Sequence, residues 1–337
     1  MENALSLAAG NLLSPMVLFF ALGMLAALVK SDLSVPEAVA KGMALYLMLA
    51  IGFKGGAAVS DHGLDVTLVL ALIAGAVLSF LIPAIAYFLL RASTKLSAVD
   101  AAAVSAHYGS ISIVTYVAAS SALQSAGIAD PGYMVAVAAV MESPAIISAL
   151  YLLARSGEWD RNNGNGGGAK PGGFSTDLLR EVVLNGSVVL LIGAFVVGLM
   201  TGQEGFAAIA PFIDAPFKGV LCLFLLDMGL VAGRGLRQGG SALGGGTVLF
   251  GLYMPLISAA IATPVALMIG LSPGGAALLI TLAASASYIA VPAAMRLALP
   301  EAKPAIYLTL SLGVTFPFNL TIGIPLYIVL GQLVGAP

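Results

Sequence analysis

Charged residues are scarce in this chain. Only 9% of its 337 residues are charged, whereas 60% are hydrophobic, and the mean hydropathy is +1.04. A soluble domain needs roughly a quarter of its residues charged to cover its surface. Here apolar stretches of about 20 residues, each long enough to cross the hydrocarbon as a helix, follow one another. The composition excludes an ordinary soluble protein and predicts an all-α polytopic membrane protein in a lipid bilayer.

Cysteine and histidine are almost absent. A single cysteine, Cys222, excludes an intramolecular disulfide and a multi-cysteine metal site. With two histidines, no His-Glu-x-x-His and no paired catalytic aspartates, the chain lacks the groups of an intramembrane enzyme, so we expect no enzymatic activity and no cofactor. The net charge of −2 gives no sign of a nucleic-acid partner. No Lys or Arg precedes the first apolar stretch, so Met1 to Lys30 is interpreted as a retained helix rather than a signal peptide.

Ten apolar spans predict ten transmembrane helices. They cover residues 14–30, 36–54, 66–91, 98–125, 132–155, 176–202, 216–233, 244–270, 273–299 and 303–335. A polar stretch from Arg155 to Asn165, followed by a Gly-rich stretch to Phe174, separates the fifth span from the sixth and predicts a flexible linker. The chain therefore divides into a first five-helix unit at 1–155, a linker at 156–175 and a second five-helix unit at 176–337.

The basic residues predict the orientation. If the loops alternate sides, Lys54 and Lys218 fall on one side of the membrane and the other twelve of the 14 Lys and Arg residues fall on the opposite side. Basic residues near helix ends are retained on the cytoplasmic side. We therefore expect both termini outside and the linker in the cytoplasm, with the protein in the cytoplasmic (inner) membrane.

A short pattern recurs at an offset of 177 residues, almost half the chain. Lys41, Gly42, Leu49, Gly52 and Gly56 reappear as Lys218, Gly219, Leu226, Gly229 and Gly233. Since five is an odd number of helices, a second unit like the first must enter the membrane from the opposite face, which predicts inverted repeats. Such proteins bind substrate where the repeats meet. The offset also pairs Ser110 with Ser287 and Glu142 with Asn319.

The fourth and ninth spans combine helix breakers with clustered hydroxyl groups. One reads Ala106-His107-Tyr108-Gly109-Ser110-Ile111-Ser112-Ile113-Val114-Thr115-Tyr116, and the other Ala283-Ala284-Ser285-Ala286-Ser287-Tyr288-Ile289-Ala290-Val291-Pro292. Backbone groups freed by a break cannot stay bare in lipid, and a half-helix N-terminus suits a small anion. We predict that interrupted helices 4 and 9 meet at mid-membrane and bind an anion. The alternative is that these hydroxyls bond back to the preceding turn of their own helix.

Few ionisable residues lie within the apolar spans. Glu142, next to Pro144, predicts a cation site, with a buried structural hydrogen bond as the alternative. Asp227 is interpreted as a helix-packing or interface residue and Asp100 as a hydrated or capping residue. His107 fits either a proton-coupled cycle or simple packing.

These residues resemble a known family. Ala283 to Pro292, with Arg296 and Pro300, is similar to the Ala-Ala-Ser-Ser-Ser-Asp-Ile-Ser-Gly-Pro segment of the sodium-dependent bicarbonate transporters of the SbtA family. Gly109, Ser112 and Thr115 align with that family's Gly-x-x-Ser-x-x-Thr, and Glu142 and Pro144 with its Asp-Ile-Pro. The resemblance runs over both halves of the chain, from Ser14 to Gly335. Tyr288 stands where the family has Asp, and Ile113 and Val114 stand where it has Gly-Ser.

The resemblance implies two inverted five-helix repeats, with a mobile core of helices 3–5 and 8–10 beside a gate or scaffold of helices 1, 2, 6 and 7. It also implies a homotrimer, a PII-like cytoplasmic regulator and sodium as the coupling ion. Together with the residue pattern it predicts two overlapping sets of site residues. The anion set is Gly109, Ser110, Ser112, Thr115, Ser285, Ser287 and Tyr288, and the sodium set is Glu142, Ser112, Thr115, Ser285 and Asn319.

The leading hypothesis is a sodium-coupled symporter that imports bicarbonate by alternating access. One alternative is the same type of carrier with another small anion, such as a monocarboxylate, or with proton coupling through His107. A passive anion channel is the other alternative.

Overall fold

The computed structural model describes residues 13–62, 65–142, 144–156, 186–239, 243–288 and 290–335, and all regular elements within them are helices. The first seven are α1 (Pro15–Leu28), α2 (Glu37–His62), α3 (Val66–Ser93), α4 (Ala98–Gly109), α5 (Ile113–Ser125), α6 (Met134–Met141) and α7 (Pro144–Arg155). Then come α8 (Gly186–Ile213), α9 (Phe217–Gly239), α10 (Gly245–Ile269), α11 (Pro273–Ala284), α12 (Ala290–Ala298) and α13 (Pro304–Val334). Two π-helical turns, Ser311–Thr315 and Asn319–Gly323, interrupt α13. The predicted linker lies outside the described residues, apart from its first residue.

Seven of the described helical stretches are long and apolar enough to cross a membrane. They are Glu37–Ser60, Val66–Ser93, Met134–Leu153, Val189–Ile213, Phe217–Arg237, Gly245–Ile269 and Pro304–Val334. α1 and α11 are apolar but shorter. α8 is bent at Gly202, whose positive φ of 58° favours glycine, and the predicted sixth span ends at this residue.

α1 packs against α9, and α2 packs against α8, so that each pair joins the two halves of the chain. In the first pair, a Cβ atom at Gly23 would lie 2.0 Å from the Leu226 carbonyl oxygen, and one at Gly229 would lie 2.1 Å from that of Phe20. No side chain fits at such distances. The two backbones therefore touch directly, which is how membrane helices pack when small residues line their contact.

The second pair, α2 and α8, is also in direct backbone contact. A Cβ atom at Gly56 would lie 1.9 Å from the Phe195 carbonyl oxygen, and one at Gly198 would lie 2.2 Å from that of Phe53. Of the repeated glycines of the sequence, Gly52 and Gly56 in α2 and Gly229 and Gly233 in α9 lie at helix contacts, whereas nothing lies within 4 Å of a Cβ atom added at Gly42 or Gly219. In both halves the second helix packs against the first helix of the other half.

The remaining helices surround α4 and α11. α4 contacts α3 and α7, while α11 contacts α10 and the end of α13; α3 also contacts α10, and α5 contacts α11. All residues of α4 are buried, as are all residues of α11 after Pro273. Alanine dominates α4, so close neighbours can enclose it on every side. Both helices therefore end deep inside the protein.

α4 and α11 match each other at a spacing of 175 residues rather than 177. Each contains 12 residues, and each begins at a serine cap, Ser97 or Ser272, whose oxygen accepts the N–H group three residues later. Each ends at an extended serine with nearly the same torsions: φ −84°, ψ 166° at Ser110 and φ −85°, ψ 167° at Ser285. The sequence-based pairing of Ser110 with Ser287 is therefore wrong. α10, with 25 residues, is shorter than α3, with 28, so a constant offset does not hold between the halves.

Gly56→Ala tests the backbone contact between α2 and α8. The added Cβ would overlap the Phe195 carbonyl oxygen, and overpacking of this kind costs about 1–3 kcal/mol. We expect a lower midpoint of thermal unfolding for the purified protein in detergent. Gly193→Ala, also in α8, is the matched control, because nothing lies within 4 Å of its added Cβ. Equal midpoints for the two variants would contradict the contact.

Candidate functional site

The first break separates α4 from α5. α4 ends at Gly109, where a Cβ would lie 2.1 Å from the Pro83 side chain of α3, so only glycine fits. The backbone is extended at Ser110, and Ser112 caps α5 by accepting the N–H of Thr115 at 3.2 Å. The N–H groups of Ile113 and Val114 open this helix and have no carbonyl partner within it. The break therefore presents a helix N-terminus inside the protein.

The second break separates α11 from α12. α11 ends at Ala284, the chain is extended at Ser285, and α12 begins at Ala290. Pro292 explains this start, since its ring would clash with the carbonyl of residue 288 if the helix continued toward α11. Ser285 and Ser287 are 1% and 2% exposed, so water does not reach the second break freely.

The two breaks are bonded to each other. The Ser112 N–H donates to Ser285 Oγ at 2.9 Å, and the Ser287 N–H donates to the His107 carbonyl oxygen at 2.7 Å. Ser285 Oγ in turn donates to the Leu282 carbonyl at 2.8 Å. Backbone groups left over by one break thus find partners in the other. Three of the predicted site residues, Ser112, Ser285 and Ser287, thus lie where the two breaks contact each other.

Glu142 lies behind the first break. α6 ends at Met141 and α7 begins at Pro144, and the carbonyl oxygen of Glu142 accepts a hydrogen bond from Ser110 Oγ at 3.0 Å. The Glu142 residue is 7% exposed, and its Oε2 atom has no hydrogen-bond partner among the described residues. A buried carboxylate oxygen without a partner is costly unless it is protonated or binds a cation.

Asn319 lies behind the second break. Its Nδ2 atom donates to the Ala284 carbonyl oxygen at 2.8 Å, and its Oδ1 atom accepts from the Tyr327 hydroxyl at 2.8 Å. The last helix of each half therefore supplies one polar residue to the break of that half. Asn319 has a clear structural task, because it holds the end carbonyl of α11.

Tyr288 connects the second break to α1. Its ring packs edge-on against Phe316 at 5.5 Å between centroids, and Phe316 packs in the same way against Phe20 at 5.1 Å. The Tyr288 hydroxyl is buried beside the Ser112 side chain and meets the full geometry of a hydrogen bond with no described residue. An O–H group that can donate to a ligand therefore lies in the segment that carries Ser285 and Ser287.

His107 and Asp100 serve the local structure. His107 is fully buried, its Nδ1 atom lies 2.6 Å from the Ala103 carbonyl oxygen, and its ring stacks on Tyr307 at 4.5 Å. These contacts agree with the packing interpretation of this residue. Asp100 bonds Ser97 through one carboxylate oxygen and the Lys303 N–H through the other, which confirms the capping interpretation.

The chemistry of this site depends on oxygen and N–H groups. Within the part of the chain that the structure describes, no three His, Cys, Asp or Glu side chains cluster as a metal site. Hydroxyls, freed carbonyls and one carboxylate are ligands for a hard cation. Helix-opening N–H groups and hydroxyl donors are ligands for a small anion. The breaks therefore carry ligand types for a hard cation and for a small anion.

Some structural partners of the site had no signal in the sequence. The hydroxyls of Tyr108 and Thr315 bond each other, and Thr315 also donates to the Gly251 carbonyl at 2.8 Å, which ties α4 to α13 and α10. These contacts join residues up to 207 positions apart. Only the clustering of hydroxyl groups in apolar spans could have pointed to them.

Asn319→Ala tests the support of the second break. It leaves the Ala284 carbonyl and the Tyr327 hydroxyl unpaired, and each unpaired buried group costs about 1–3 kcal/mol. We expect a lower thermal midpoint than for the parent protein. Thr321→Ala, which removes only hydrogen bonds to the Pro317 and Phe318 carbonyls within α13, is the control and should change little. If both variants melt alike, Asn319 does not hold the break.

Comparison with known proteins agrees with this geometry. A search among curated proteins gives no match. The family model of the Na+-dependent bicarbonate transporter superfamily, however, matches residues 15–332, which include both breaks and all seven long apolar helices of the described residues apart from the last two residues of α13. The chain is therefore a multi-pass membrane protein that belongs to the Na+-dependent bicarbonate transporter superfamily.

Proposed function

We propose that this protein is a sodium-coupled symporter that imports bicarbonate across the cytoplasmic membrane. The observation that carries the proposal is the pair of hydrogen bonds between the broken helices, Ser112 N–H to Ser285 Oγ and Ser287 N–H to the His107 carbonyl. A channel needs a continuous path, whereas two breaks that close on each other favour a carrier with a compact binding site. Family membership supports sodium and bicarbonate as the transported ions.

The anion binds at the N-terminus of α5 in this proposal. The N–H groups of Ile113 and Val114 open the helix, and its partial positive charge favours a negative ligand. Gly109, Ser110, Ser112, Thr115, Ser285 and Ser287 form the surrounding wall. The Ser112 N–H already donates to Ser285 Oγ. Binding of the anion would replace part of this bonding with hydrogen bonds from the same groups to the anion.

Tyr288 gives the site a donor in place of a carboxylate. Its hydroxyl meets the full geometry of a hydrogen bond with no described residue, and an O–H group donates to an anion where a carboxylate would repel it. We assign Tyr288 to the anion rather than to sodium. Tyr288 in place of the family's Asp also removes one negative charge from the second break. Glu142 is therefore the main source of negative charge for the cation.

The sodium ion binds on the side of Glu142 in this proposal. Oε2 of Glu142 is buried and without a partner, and Pro144 has no N–H group to bond the preceding turn. Ser112, Thr115, Ser285 and Asn319 are the other predicted ligands. Asn319 Oδ1 already accepts the Tyr327 hydroxyl, so its share in binding sodium requires its second lone pair.

Alternating access follows from the two groups of helices. α1, α2, α8 and α9 form pairs with direct backbone contact, which suits a fixed scaffold. The helices around α4 and α11 carry both breaks and suit a mobile core. The matching contacts α1–α9 and α2–α8 support inverted repeats, because exchange of the two halves converts one pair into the other. A homotrimer, outside termini and a PII-like regulator are further expectations from the resemblance and the basic residues.

Three other functions remain as alternatives. A proton-coupled carrier would use His107, but that ring stacks on Tyr307 and bonds its own helix. A carrier of another small anion, such as a monocarboxylate, would share the fold and the coupling. A passive channel would show flux that does not saturate.

Uptake of labelled bicarbonate into proteoliposomes tests the proposal. We expect saturable uptake that an inward sodium gradient drives and that potassium or choline at equal ionic strength does not. Formate, acetate and nitrate serve as competing anions. Robust uptake without any cation gradient would contradict symport, and stronger competition by a monocarboxylate would assign the substrate to that class.

Glu142→Gln tests the cation side. The amide keeps the size of the side chain but removes its charge, so the half-saturating sodium concentration should rise about tenfold, which corresponds to about 1.4 kcal/mol. Glu204→Gln, at an exposed position of α8, is the control for charge alone. If the sodium dependence of Glu142→Gln is unaltered, Glu142 does not bind sodium and has a structural role instead.

A further inference from the structure

A polar cavity of about 460 Å³ lies away from the two breaks. α2, α5, the start of α6 and the turn between α8 and α9 surround it, so its walls belong to both groups of helices. Its wall on α5 runs from Tyr116, one turn after Ser112, through Ser120 to Gln124. The cavity thus extends along α5 to within about one turn of the break.

Asp130 is the carboxylate in this wall that lacks a full set of partners. Ser120 Oγ donates to Asp130 Oδ2, but Oδ1 is buried and has no partner among the described residues. The nearby N–H groups of Met134 and Val135 bond the carbonyls of Pro131 and Gly132 instead. Burial raises the pKa of Asp130, and the Ser120 hydrogen bond and the Lys54 charge offset this effect only in part.

The basic residues of the cavity do not neutralise Asp130. Lys54 forms an ion pair with Asp214, and its Nζ atom lies 4.8 Å from the centroid of the Phe217 ring. Lys218 also lines the cavity but is an exposed residue. Asp130 therefore forms no ion pair among the described residues, and its Oδ1 atom is left to bind a small cation.

We infer that Asp130 and Ser120 form a second cation site, which captures a sodium ion in the cavity before the ion reaches Glu142. The carboxylate and hydroxyl oxygens are hard ligands, and water in the cavity completes the coordination. The role in transport rests on the proposed function, but binding of the ion does not. In the predicted orientation, Lys54 and Lys218 place this cavity on the outer side of the membrane, where an imported ion enters.

Cysteine labelling tests the site without transport. Cys222 is the only cysteine of the chain, so Cys222→Ala together with Gln124→Cys leaves one thiol in the cavity wall. The rate of its reaction with a cationic thiol reagent is measured on purified protein without bicarbonate. Sodium should slow labelling by about tenfold relative to choline at equal ionic strength, since a bound cation repels the reagent. Asp130→Asn, which keeps an acceptor for Ser120, should abolish this protection.

Two controls separate this site from others. Glu142→Gln and Glu204→Gln should both keep the sodium protection, because neither residue lines the cavity. Protection that survives Asp130→Asn, or that is lost in Glu142→Gln, would overturn the inference. A labelling rate that is the same in sodium and in choline would also overturn it. Sodium protection without sodium-driven uptake would leave the site intact and contradict the proposed function instead.

Discussion

The fold depends on one constraint: a backbone N–H or C=O group inside a membrane protein must find a partner within the protein. A single broken helix would leave several such groups bare. Here the Ser112 N–H finds Ser285, and the Ser287 N–H finds the His107 carbonyl, so each break stabilises the other. The two halves of the chain are therefore interdependent at their centre. The backbone groups of the two breaks can exchange these partners for an ion, which makes the paired breaks suitable for binding.

Glycine and alanine allow the helices around the two breaks to pack closely. Direct backbone contacts at Gly56 with Phe195 and at Gly229 with Phe20 join the outer helices closely. The alanine-rich α4 is completely buried, because it offers no bulk to keep its neighbours away. Packing of small residues replaces the hydrophobic effect, which gives little driving force between helices in lipid. The result is a tight set of outer pairs beside a second group that carries the breaks.

Sequence reasoning worked where the signal is local. Gly109 and Pro292 predict the breaks because each acts at its own position: glycine weakens a helix, and proline removes an N–H donor and clashes with the preceding turn. The constant offset of 177 failed at α4 and α11, because helix lengths differ between the halves. The Asn319 contacts and the Asp130 cavity could not be predicted, because they arise from the folding of distant segments against each other. The proposed roles of Ser110, Thr115 and Tyr288 in anion binding stay predictions.

The central claim is that one site, built where the breaks meet, holds the anion and the cation together. Equilibrium binding of labelled bicarbonate to the purified protein, measured across a range of sodium concentrations, tests it most directly. Binding at adjacent positions is reciprocal, so each ion must strengthen the binding of the other by the same factor. The account predicts a bicarbonate affinity that rises with sodium until the cation site is saturated. A bicarbonate affinity that is the same in sodium and in choline would contradict it.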